Sequence, residues 1–130
     1  MRPTAPLASA LFLRAVATGC SWGGEVQELP DGTQVLVSGP GGGGEDALTA
    51  GPLEVVDGCL GVGGLVVVWA HGTEVVDGEP AITLPDGERV ALGDVVELGG
   101  GAHAYDELGG PAPRVPEECR GGGDIWVAAG

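Results

Sequence analysis

From Leu65 to Leu98 the chain reads LVVVWAHGTEVVDGEPAITLPDGERVALGDVVEL, and Gly, Asp or Pro recurs too often for a helix to be completed. Between these interruptions lie four short β-type runs, Leu65–Trp69, Ala81–Leu84, Arg89–Leu92 and Val95–Leu98. Short runs bounded by turn residues are the sequence form of a meander. Gln34–Ser38, Leu53–Val56, Cys59–Val62 and Asp124–Ala128 have the same form, and no stretch of ten or more residues combines helical periodicity with a cap. The expectation is an all-β domain, a small antiparallel barrel or sandwich with Gly- and Pro-rich loops. Val66-Val67-Val68 is unbroken, so its strand is expected to be covered on both faces. Val90 with Leu92, and Val96 with Leu98, alternate and can each share one face.

The turns are as informative as the runs. Leu29-Pro30-Asp31-Gly32-Thr33-Gln34-Val35 recurs as Leu84-Pro85-Asp86-Gly87-Glu88-Arg89-Val90. Pro presets φ at the first turn position, and Asp-Gly tolerates the positive φ that two-residue hairpins demand. Turn chemistry therefore accounts for the repeat without a duplicated ligand loop. Pro40 to Gly44, followed by Glu45 and Asp46, reads as a surface loop; it lacks the Gly-Lys-Ser/Thr ending of a phosphate loop. Pro111–Pro116 holds three prolines and is expected to cross the domain as an extended segment that brings Cys119 back to the sheet.

A chain of 130 residues suffices for one domain, and 43% hydrophobic residues argue for order despite 27 glycines. Lysine is absent, which points to a GC-rich genome. The net charge of −14 is unevenly spread, because every acid lies at Glu25 or later. Without the first nineteen residues, three arginines face 19 acids, a net charge of −16. Such a surface repels polyanions, so nucleic acid is excluded as a partner. The acids are read chiefly as a solvating surface.

Those first residues, MRPTAPLASALFLRAVATGC, have the form of an export signal: Arg2, then the apolar run Ala5–Leu13, then small residues. Two cleavage readings compete. Ala15-Val16-Ala17 fits the small-x-small rule for ordinary secretion. Ala17-Thr18-Gly19-Cys20 resembles the lipobox of bacterial lipoproteins, in which the Cys after Gly takes diacylglycerol and becomes the first residue; the Leu preferred three places earlier is here Ala17. An exported chain with three cysteines has one odd thiol, and lipidation of Cys20 leaves Cys59 and Cys119 to pair. That bridge would close a loop of about 60 residues and stabilise a thin core by about 4 kcal/mol. The division expected is a signal over 1–19, a flexible tether over 20–28 and one all-β domain over 29–130. Trp22, in the tether, either sits at the headgroup interface or packs on the domain.

Cys59–Val127 also resembles a group of uncharacterised exported proteins and lipoproteins of high-GC Gram-positive bacteria. The shared features are Cys59-Leu60, Trp69-Ala70-His71-Gly72-Thr73, Leu84–Gly87, Gly93–Val95 and the glycine run Gly99–Gly101, with Cys119-Arg120 near the end. The resemblance covers about half the chain and implies no activity.

No residues announce a reaction. Ser38 has no nucleophile elbow, no calcium loop is present, and Asp57, Asp77 and Asp86 each precede Gly, as turn residues do. His71 and His103 lack the spacing of a ligand motif, so no metal or other cofactor is expected. Trp69, His71, His103 and Tyr105 form the candidate lining of a ligand groove, although so few aromatics are needed first for packing. The reading is a cell-envelope lipoprotein, a binding or structural domain held outside the plasma membrane by lipid on Cys20, with an envelope protein or glycan as partner. The alternative is a secreted metal-binding protein or hydrolase using His71, His103 and nearby carboxylates.

Overall fold

The computed structural model describes residues 23–41, 45–121 and 123–129. The export signal, Cys20 and Trp22 lie outside the described residues. Among the described residues, ten strands form two sheets: β1 Glu25–Glu28, β2 Gln34–Val37, β3 Ala47–Val56, β4 Cys59–Val62, β5 Leu65–Trp69, β6 Glu74–Val75, β7 Ala81–Thr83, β8 Arg89–Ala91, β9 Val95–His103 and β10 Ile125–Ala128. The all-β expectation holds. β4 and β5 have the bounds expected from their flanking turns, and β2, β7, β8 and β10 match to within a residue or so. Glu25–Glu28, assigned above to a flexible tether, instead forms β1 and pairs antiparallel with β2. Its side chains are mostly exposed, so no apolar alternation marked it as a strand.

The large sheet closes on itself. β3 pairs with β4, β4 with β5, β5 with β10, β10 with β9, and β9 with β3, which completes a ring. The β4–β5 ladder covers only Gly61–Val66 and Val62–Leu65. Beyond it the two strands part, and β2 enters, pairing Leu36 with Val68 and Val37 with Trp69 in parallel. β5 and β10 are also parallel, so the barrel mixes both pairings. Closure leaves few free strand edges, which limits edge-to-edge association.

Alternation sorts side chains between two apolar clusters. Val35, Val37, Leu60, Val62, Val67, Trp69, Val96, Leu98 and Trp126 fill the barrel interior. Leu36, Cys59, Val66, Val68 and Ile125 point outward, where Val115 and Cys119 cover them. The unbroken Val66-Val67-Val68 run is thus buried on both faces, worth about 1.5–3 kcal/mol for each fully buried valine. The small sheet, β6-β7-β8, adds Ile82 and Val90 to the interior cluster. The Pro-rich segment crosses the outer face as expected. It ends in a 3-10 turn at Glu117–Arg120, from which Cys119 bonds Cys59 across a Cα separation of 5.7 Å.

Both L-P-D-G copies adopt one geometry. In the first, Gly32 N–H donates to the Leu29 carbonyl at 2.9 Å, Leu29 N–H to the Thr33 carbonyl at 2.9 Å, and Thr33 N–H to the Asp31 carboxylate at 2.9 Å. The second repeats this pattern with Gly87, Leu84, Glu88 and Asp86 at 2.8–2.9 Å. These are three-residue loops closed by a glycine at positive φ, not the two-residue turns expected above. Two-residue turns with both φ positive occur instead at Asp57-Gly58 and Gly63-Gly64, joining β3 to β4 and β4 to β5.

The hydrogen bonds from Thr33, its backbone N–H first, hold the Asp31 carboxyl below its ordinary value of 3.8. A depressed carboxylate adds stability above the unfolded-state value and loses it as pH falls through the folded one. The gap in urea midpoint between wild type and Asp31→Ala is therefore expected to be widest above pH 3.8 and to narrow in stronger acid. A gap that stays constant into stronger acid would contradict this role for the carboxylate.

Candidate functional site

The four residues proposed as a groove lie in separate places. Trp69 ends β5 with its ring in the barrel interior, 1% exposed, and its Nε1 donates to the Leu60 carbonyl at 3.4 Å. It borders a cavity of about 260 Å³ between the barrel and the second L-P-D-G turn, shared with Thr73, Leu84, Pro85, Asp86 and Glu97. The Thr73 hydroxyl is buried there without a partner among the described residues.

His71 lies two residues beyond β5 and is exposed, with Nδ1 3.2 Å from the Ser38 carbonyl. A carbonyl only accepts, so in this contact Nδ1 is the donor. His103 ends β9 opposite Ile125 of β10, which is level with Val66 near the start of β5. The two histidines therefore sit toward opposite ends of β5. His103 Nε2 lies 2.6 Å from Glu45 Oε1, in a half-exposed pair of the kind that contributes little to stability. Among the described residues, no three His, Cys, Asp or Glu side chains come together as a metal site.

Tyr105 opens the 3-10 turn Tyr105–Glu107 after β9 and is 41% exposed. The Arg120 guanidinium lies over its ring, 4.6 Å from the centroid. Arg120 also donates from Nε at 3.1 Å and from Nη2 at 3.0 Å to the Val115 carbonyl. Tyr105 and Arg120 line a cavity of about 410 Å³ together with Leu108, Pro113, Arg114 and Val115. Neither cavity is lined by His71 or His103.

Sequence reasoning reached Tyr105 and missed its basic neighbours: Arg114 and Arg120 count toward net charge, and Arg120 also as a feature of the resemblance, but neither as a ligand group. A usable signal was present: Arg114 lies in the Pro-rich segment and Arg120 four residues after it, in a chain with five arginines and no lysine. No family model, curated protein or solved structure matches the chain.

Proposed function

We propose that this protein is an exported binding or structural domain of the cell envelope, held outside the plasma membrane by diacylglycerol on Cys20. The observation that carries this reading is the bond between Cys59 and Cys119, both buried in the outer cluster. It uses two of the three cysteines and singles out Cys20, at the end of an export-type leader, for other chemistry. A disulfide built into the packing also suits an oxidising compartment. A β-barrel with an acidic exterior suits an envelope protein or glycan as partner, and repels nucleic acid.

The competing secreted metal-binding or hydrolytic reading would need His71 and His103 to cooperate, whereas each is engaged by a different neighbour, Ser38 or Glu45. Ordinary secretion after Ala17 differs from the anchored reading in one observable. Cys20→Ala in the native host is expected to move the protein from the membrane fraction to the medium. Retention of Cys20→Ala in the membrane fraction with its leader removed would overturn the lipid anchor.

A further inference from the structure

We propose that the cavity between the Tyr105 turn and the Pro-rich crossing segment binds a small organic anion, one carboxylate or phosphate group carried on an apolar body. The inference goes beyond envelope attachment and holds with or without the lipid. Basic side chains are rare in this chain, and three arginines fall among the described residues. Arg89 pairs with Glu79 on the small sheet. Arg114 and Arg120 both line the same cavity, and neither forms an ion pair with a carboxylate among the described residues. Two unpaired cations converging on one cavity of so acidic a chain is the observation that needs a purpose.

The geometry is suited to an anion. Two bonds to the Val115 carbonyl and the Tyr105 ring hold the Arg120 guanidinium in place before any ligand arrives. Its Nη1 makes no hydrogen bond among the described residues, so donors remain for a carboxylate or phosphate oxygen. A donor fixed in advance loses little freedom on binding. Arg114 is exposed and adds a second positive charge. Leu108, Pro113, Val115 and the exposed part of Tyr105 provide apolar wall, and about 410 Å³ accommodates a ring-sized body. Asp106, Glu107, Glu117 and Glu118 flank these residues in sequence and are exposed. They disfavour a polyanion, which restricts the ligand to a compact group of low charge.

The test uses the full chain with its disulfide formed, ¹⁵N-labelled and titrated with benzoate, phenyl phosphate or benzylamine. Benzoate, phenyl phosphate or both are expected to shift the backbone signals of 105–120 and the Arg120 Nε–H saturably, with Kd on the order of 1 mM. Binding of one and not the other identifies the anionic group. Benzylamine, of similar shape and opposite charge, is expected to leave these signals in place. Arg120→Ala removes contacts that hold the segment, so Arg114→Gln carries the mutational arm; it is expected to weaken binding roughly tenfold. No saturable shift with either anion, equal binding of benzylamine, or unchanged affinity in Arg114→Gln would each overturn the proposal.

Discussion

The Cys59→Ala/Cys119→Ala double variant is expected to lose about 4 kcal/mol of unfolding free energy. The bridge spans a sequence separation of 60, so its absence frees much of the denatured chain. It also ties the crossing segment to the barrel: Val115 and Cys119 are the only residues of 111–121 in the outer cluster around Leu36, Val66, Val68 and Ile125. Small domains have total stabilities of about 5–15 kcal/mol, so a loss of this size brings the variant close to unfolding. Alanine avoids placing a hydroxyl in this apolar site, which keeps the comparison to the bond and its packing. Equilibrium denaturation of the oxidised protein and the variant measures the effect. Amide exchange should show the greatest loss of protection over residues 111–121. A loss below about 1 kcal/mol would mean that the segment is held by packing alone.

Gly100→Ala is the second large effect, with an expected cost of about 3 kcal/mol or more from backbone strain and overcrowding together. Gly100 has φ +141°, which side-chain-bearing residues rarely adopt. It pairs with Ala47 of β3 on one side and Ala128 of β10 on the other. A Cβ there would meet the Val127 carbonyl oxygen and lie within 2.9 Å of the Trp126 indole nitrogen. That nitrogen donates to the Gly99 carbonyl at 3.2 Å, so the same step would disturb an interior tryptophan. Gly109→Ala is the control, because a Cβ at Gly109 meets nothing within 4 Å. It is expected to change stability by no more than about 0.5 kcal/mol. Urea midpoints for the two variants that agree within error would contradict this account of the glycine run.

That run also marks where the sequence misleads. Gly99–Gly101 resembles a loop by composition, yet it lies within β9, where the close approach of β10 leaves no room for a side chain at Gly100. Ala47–Gly51 was missed for a related reason: ALTAG has no apolar alternation, and its strand form comes from pairing with β9. β4 and β5 were legible to the residue because Asp57-Gly58 and Gly63-Gly64 are turns whose chemistry is local. The two faces of β5 were legible for the same reason, since an unbroken valine run leaves no polar side to face water. The insertion of β2 between parting β4 and β5 was not legible, because no local pattern encodes a parallel pairing across some thirty residues. At the candidate sites, residue type was readable and placement was not. Trp69, His71, His103 and Tyr105 are all on or just after β5 and β9, but the register of those strands through β10 sets them apart.

The exported, anchored reading is tested most directly by the intact mass of the protein from membrane and medium fractions of its native host. The account predicts a membrane-bound chain that begins at Cys20, carries a diacylglycerol increment and is two hydrogens short for the Cys59–Cys119 bond. A soluble chain that begins at Thr18 would contradict the anchor and leave Cys20 as a free or intermolecular thiol. A chain still carrying Met1 would contradict export itself.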